Sequence, residues 1–275
     1  MGKTIKEENM GHVSIQALSK SYTEKRRRAR SVNGNGSYER GEQMLVLDEI
    51  NLEFANGEMV CILGPSGCGK STLVRILAGF EQGTSGRVFI DGKEVCGPSS
   101  EHVFVFQYSG LLPWLTVWGN VCLGVRKMKE KEKMAERVQQ NIDIVGLTGF
   151  EHLYPHQLSG GMQRRAELAR ALVVNPDILF MDEPFAGLDF LTRVNLREEI
   201  INMHILIKKT IIFITHDIDE ALVMGDRLVV FSDRPAKVKL ALPLDFSHPR
   251  DFAKTPALSD LRKEIYSVLG VHYAL

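Results

Sequence analysis

Apolar residues fall along this chain in two rhythms. Between His12 and Leu18, Val13, Ile15 and Ala17 alternate with polar neighbours, and Leu45, Leu47, Ile50, Leu52 and Phe54 continue that pattern over residues 44–54. Such alternation predicts half-buried strands, and two in succession predict an antiparallel layer beside a main sheet. Residues 59–63, 178–181 and 228–231 are instead unbroken apolar runs, and 210–215 is apolar between two threonines. Runs of this length suit parallel strands buried on both faces. Shorter strands are predicted at 86–90, turned by Asp91-Gly92, and at 103–106, ending at Gln107. Helical spacing predicts helices at 72–78, at 162–174, with Leu168 and Leu172 one turn apart, and at 193–207 and 258–269. Residues 117–146 also read as helical, and the charged run from Arg126 to Arg137 reads as a solvated helix face. No internal repeat is present.

Two stretches break the rhythm. Leu111-Leu112-Pro113-Trp114-Leu115 is apolar and aromatic but interrupted by proline, and Thr23 to Gln43 is polar, basic and glycine-containing, with Arg26-Arg27-Arg28, Arg30 and Asn33-Gly34-Asn35-Gly36-Ser37. The second stretch is suited to an exposed loop. It reads either as a contact for anionic lipid or a regulator, or as a solvated insertion, and the insertion is the preferred reading.

Composition narrows the class. In 275 residues, 44% are hydrophobic and 25% charged, with 34 basic residues matched by 34 acidic ones. These are the proportions of an ordinary globular chain, and the charge balance gives no reason to expect a nucleic-acid partner. The four cysteines, Cys61, Cys68, Cys96 and Cys122, show no C-x-x-C spacing, so they read as free thiols of a reducing compartment. The first ten residues lack the apolar segment of a signal peptide, and no run of 18 apolar residues predicts a membrane span. A membrane role would therefore come through a partner.

The chemistry gathers at strand ends. Gly64-Pro65-Ser66-Gly67-Cys68-Gly69-Lys70-Ser71 fits G-x-x-x-x-G-K-[ST] between a predicted strand and a predicted helix, the context a phosphate-binding loop requires. Glycines let successive N–H groups turn toward an anion, and the helix N-terminus adds orphan donors and partial positive charge. Lys70 would reach β- and γ-phosphates, and the Ser71 hydroxyl would ligate Mg²⁺. Asp182, at the end of the 178–181 run, would hold the same ion, and the adjacent Glu183 could polarise an attacking water. His216 ends the next apolar run and could touch a γ-phosphate; a satisfied core histidine is the alternative. Gln107, also at a strand end, could ligate Mg²⁺ or orient water, on weaker grounds. Ser159-Gly160-Gly161 at a helix start forms a second anion-binding terminus. One γ-phosphate needs only one such loop, so this second face suits a protein that shares its nucleotide with another copy, unless it is a plain N-cap.

Read in order, these motifs resemble the ATP-binding subunits of ATP-binding cassette (ABC) transporters, over nearly the whole chain from Val13. Tyr22 stands where the family stacks an aromatic on adenine, Gly64 to Ser71, with Thr72 beside them, match Walker A, and Gln107 matches the Q-loop. Leu158 to Gly161 match the signature, Asp182 and Glu183 match Walker B and the catalytic base, Gly187-Leu188-Asp189 match the D-loop, and His216 matches the switch histidine. Residues 111–117, Asp233-Arg234-Pro235 and Pro249-Arg250 are similar to the nitrate, sulfonate and taurine import group. Two departures stand out. Arg164-Arg165 occupy places where the family usually has glutamine then arginine, and the 23–43 insertion separates Tyr22 from the following strand.

The resemblance implies an α/β fold: a P-loop NTPase (RecA-like) core with an antiparallel β subdomain and a helical signature subdomain. The cassette would span 12–240, with the helical part about 110–174, the basic insertion at 23–43 and a C-terminal extension at 241–275. It implies ATP and Mg²⁺ as ligands, hydrolysis by Glu183 with His216, Gln107 and Lys70, and a homodimer sandwiching ATP between one loop and the other copy's Ser159–Gly161. It further implies a transmembrane permease docked around residues 107–118, an extracytoplasmic solute-binding protein, and a peripheral place on the cytoplasmic face of the cell membrane. The alternatives are a soluble, non-transport ABC ATPase of DNA repair or translation, and a P-loop kinase or switch that works alone.

Overall fold

The computed structural model describes residues 11–23, 43–106 and 110–270. The predicted site residue Gln107 and nearly all of the basic insertion lie outside them.

Strands β1 (Val13–Thr23), β2 (Gln43–Phe54), β4 (Ser85–Ile90) and β5 (Lys93–Glu94) form an antiparallel sheet in the order β2-β1-β4-β5. The second sheet holds β3 (Met59–Leu63), β6 (His102–Val105), β7 (Ile178–Asp182), β8 (Thr210–Ile214), β9 (Arg227–Phe231) and β10 (Val238–Pro243), ordered β10-β9-β3-β8-β7-β6. Five of its strands run parallel, and β10 closes one edge antiparallel to β9. The two rhythms of the sequence thus become two sheets. Within the parallel strands, period-2 geometry sends alternate residues to opposite cores. Val60, Ile62, Phe180, Ile212 and Ile214 join helix α1 (Lys70–Leu77) and the antiparallel sheet on one side, while Cys61, Leu63, Leu179, Met181 and Phe213 join the remaining helices on the other.

The stretch 117–146, read as helical, is divided. Two helices are present, α2 (Val117–Cys122) and α3 (Lys131–Ile144). Between them the backbone bonds tighten to three-residue spacing, Gly124 N to Val121 O (3.3 Å), Val125 N to Cys122 O (3.1 Å) and Met128 N to Val125 O (2.8 Å). That break keeps Val125 in the core while the charged residues of α3 face outward. Helix α4 (Gly160–Leu172) packs against both. The predicted helix at 193–207 begins earlier, as α5 (Phe190–Ile207), because the Asp189 carboxylate accepts from the Thr192 N–H and caps it. The sequence reading omitted β5, β10 and the short helix α6 (Ile218–Met224). The last helix, α7 (Pro256–Val268), packs on α6. Buried Arg250 fastens the intervening segment by donating to the carbonyls of Leu222, Leu244 and Phe246 at 2.9–3.0 Å.

Candidate nucleotide site

The glycine-rich loop runs from β3 to α1, so its backbone turns at the carboxyl edge of the parallel sheet, where ligands bind in open α/β folds. Gly69 has φ +130°, and a Cβ there would come within 2.9 Å of both Val46 and Leu47; only glycine lets the antiparallel sheet approach this closely. Lys70 is 5% exposed. Its ammonium folds back over the loop, donating to the Gly64 carbonyl at 2.7 Å and the Pro65 carbonyl at 3.0 Å. A cation held on a glycine-rich loop at a helix N-terminus is arranged for polyphosphate.

Strand β7 brings Asp182 to the same place. The Ser71 hydroxyl donates to Asp182 Oδ1 at 3.1 Å across 111 positions of sequence. Burial pushes the Asp182 carboxyl up; the Ser71 bond and the cations Arg75 and Lys70 oppose the rise. A hydroxyl and a carboxylate are hard oxygen donors, and the pair fits the Mg²⁺ that the chemistry calls for. Glu183 follows with φ +45°, a left-handed conformation that is uncommon outside glycine. It is kept there by its N–H to the Ile214 carbonyl (3.0 Å) and by its own carbonyl accepting from Ala186 N–H (3.1 Å). His216, exposed beyond β8, lies with Nδ1 3.4 Å from Glu183 Oε2.

Tyr22 also reaches the site. The pairing Tyr22↔Met44 and Thr23↔Gln43 shows that the chain returns in register after the insertion, so Tyr22 keeps its place at the rim. Its hydroxyl donates to Glu81 at 2.5 Å, and Lys20 Nζ sits 4.9 Å from its ring centroid. Burial and the Glu81 carboxylate raise the Tyr22 phenol above its usual range. A cavity of about 230 Å³ joins Tyr22, Ser66, Gly67, Gly69, Lys70, Ser71, Thr72 and Glu183. A larger hollow of about 540 Å³ lies beside α3 and brings together none of the predicted residues.

Ser159, Gly160 and Gly161 do not line that cavity. Ser159 caps α4 by accepting from Met162 N–H at 3.3 Å, and it and Gly160 are exposed. Gly161 is buried where a Cβ would fall 2.5 Å from Thr192 Cγ2, so glycine lets α4 meet the start of α5.

Residues 47–186 match the family described as ABC transporter. The chain belongs to the ABC transporter family. The cassette is 45% identical over 230 residues to an uncharacterized ABC transporter ATP-binding protein of Methanocaldococcus jannaschii, covering 83% of this chain and 86% of that one. It is 42% identical over 237 residues to the taurine import ATP-binding protein TauB of Pelagibacter ubique (84% and 89% covered), and 40% identical over 220 residues to an aliphatic sulfonates import ATP-binding protein, SsuB, of Bacillus cereus (80% and 86%). Its fold is similar to a dimeric post-hydrolysis ATP-binding cassette bound to ADP and Pi, with TM-score 0.68 and 28% identity, covering 86% of this chain and 100% of that one. The cassette is an ATPase with a P-loop NTPase fold, and the relatives do not favour the non-transport alternative.

Sequence reasoning missed part of the cassette's site. Arg234, Met44 and Val46 also line the cavity, and Arg234 donates to the Gly67 carbonyl. In the sequence Arg234 stands out only within Asp233-Arg234-Pro235. Its role required the knowledge that β9 lies next to β3.

Proposed function

We propose that this cassette dimerises around two ATP molecules and powers a membrane permease importing a small solute such as taurine, a sulfonate or nitrate. The observation that carries the catalytic part is the meeting of Ser71 with Asp182 at 3.1 Å, with Glu183 and His216 beside them. Residues 64–72 would hold the phosphates, with Lys70 turning from the loop carbonyls to the β- and γ-phosphates. Tyr22 would meet the adenine. Ser71, Asp182 and Gln107 would hold Mg²⁺, which when bound neutralises charge on the phosphate oxygens. Glu183 takes a proton from the attacking water, His216 holds that water against the γ-phosphate, and Gln107 orients it. Ser159–Gly161, away from this cavity and with Ser159 and Gly160 exposed, would close on the nucleotide of a second copy.

Phe106 (52% exposed) and Trp114 (68% exposed) give the region around 107–118 exposed apolar surface, as a docking face for a permease would have. No helix among the described residues is long and apolar enough to cross a membrane, which suits a peripheral subunit on the cytoplasmic face. An extracytoplasmic binding protein would deliver the solute, and the cassette proper would occupy 12–240 with an extension at 241–275. The deciding experiment is Glu183→Gln. It should bind ATP normally, lose nearly all turnover and elute from gel filtration as an ATP-dependent dimer. A monomer throughout, or normal turnover, overturns the reading. A pull-down from solubilised membranes, with the chain as bait, should recover a multi-span permease; soluble proteins alone would refute the transport role.

A further inference from the structure

Helix α4 carries a buried ion pair that also bonds backbone groups at the catalytic edge. Arg164 and Glu167 are 6% and 5% exposed, and Arg164 Nη1 donates to Glu167 Oε2 at 2.5 Å. The same guanidinium donates through Nε to the Pro184 carbonyl at 2.6 Å and through Nη1 to the Phe106 carbonyl at 2.7 Å. Glu167 uses its other oxygen to accept the Gly110 N–H. Pro184 directly follows Glu183, and Phe106 directly precedes Gln107. Strands β6 and β7 are parallel neighbours, with Val105 opposite Met181, so one guanidinium spans the ends of both.

We propose that Arg164, held by Glu167, is a positioning residue that fixes the backbone conformation of Glu183 by clamping the Pro184 carbonyl. This rests on Glu183 being the base of the ATPase. Glu183 adopts φ +45°, a conformation that persists in a non-glycine residue only where its surroundings impose it. Ile214 and Ala186 fix its own N–H and carbonyl, and the next carbonyl is held by a side chain rather than by sheet or helix. The guanidinium is planar, so fixing it with Glu167 also fixes the directions of the Nε and Nη1 bonds. A lysine, with a single nitrogen, cannot reproduce that fork. A buried ion pair is weak evidence for stability in itself; this one reaches Phe106 before Gln107, Gly110 beyond it and Pro184 after Glu183. Arg164 is five residues from Ser159 on one rigid helix, so the clamp is carried by the element that begins at the signature serine.

The test is the double variant Arg164→Gln/Glu167→Gln, which removes both charges together and leaves neither unpaired, beside Arg164→Lys and the wild type. The expected result is a kcat about tenfold or more below wild type, as for a displaced catalytic group. KM for ATP should stay within about twofold, because the clamp touches none of the residues lining the nucleotide cavity. In a Glu183→Gln background the double variant should still form the ATP-trapped dimer. Arg164→Lys should lose kcat in the same way, and it carries the test if the double variant does not fold. Wild-type kcat in a folded variant, a loss confined to KM, or failure to trap the dimer overturns the proposal. A wild-type chain without ATPase activity would instead refute the reading on which it rests.

Discussion

Asp182 and Asp226 are both partly buried carboxylates, yet their environments pull in opposite directions. Burial raises Asp182 more than Ser71 and the nearby cations lower it. A carboxyl whose folded pKa exceeds its unfolded one contributes stability at acid pH that is lost as pH rises. The raised Asp182 carboxyl therefore opposes the nucleotide-free fold increasingly as pH rises through the carboxylate range. Asp182→Asn should raise the melting temperature without nucleotide by about 2 °C while abolishing hydrolysis; an unchanged or lower value counts against this account. For Asp226, burial is outweighed by bonds from His204 and His248 and by the Met59 N–H at 2.8 Å, so its pKa is held well below the usual range. Its contribution is present at neutral pH and is lost as pH falls below the ordinary carboxylate range. Asp226→Ala should cost about 1–3 kcal/mol at pH 7, and a denaturant titration should find the cost shrinking under strong acid. Asp182 was legible in the sequence because the β7 apolar run announces it. Asp226 was not, because its partners lie on α5, on β3 and in the C-terminal segment.

The elements were legible where their pattern had one period. The parallel strands, buried on both faces, were read within a residue or two, and Asp91-Gly92 was read as the turn it makes, with φ +51° and +72°. The break within 117–146 was not legible, because the charged face of α3 continues the helical pattern across it. The apolar stretch 111–115 is set by a side chain that periodicity does not reveal. Asn120 is 0% exposed, accepts from Leu112 N–H at 2.8 Å and donates to the carbonyls of Leu112, Leu115 and Thr116 at 3.0–3.1 Å. Asn120→Leu should cost about 3 kcal/mol by leaving these groups unpaired. It should weaken permease recovery more than the ATPase rate of the free cassette, and the reverse order would refute the link to docking. Deleting Arg26 to Gly36 should leave ATPase activity within about twofold, because Thr23 and Gln43 are already paired across the strands. A large loss would make the insertion functional.

At the scale of the molecule, the glycine-rich loop and the Ser159–Gly161 helix start do not share a cavity. Lys70, Ser71, Asp182 and Glu183 converge at the loop, while Ser159 and Gly160 stand exposed at the N-terminus of α4. The sequence allowed the helix start to be a plain N-cap. In the fold Ser159 does cap α4, and its end of the helix is exposed and lies outside the nucleotide cavity, which leaves it open to a ligand on a second copy. A surface that must find its ligand on another copy makes the active unit a dimer, and dimer formation follows mass action. The specific ATPase rate should therefore rise with protein concentration at saturating ATP and level off once the dimer is filled, with the half-rise moving to lower concentration as ATP tightens the pair. Blocking one face should act through the other. Ser159→Arg should leave ATP binding to the monomer intact, as its cavity is untouched, and flatten the concentration dependence at a low rate. A wild-type rate per subunit that is constant across a hundredfold dilution would mean that each copy completes its own site, and the exposed α4 terminus would then need another explanation.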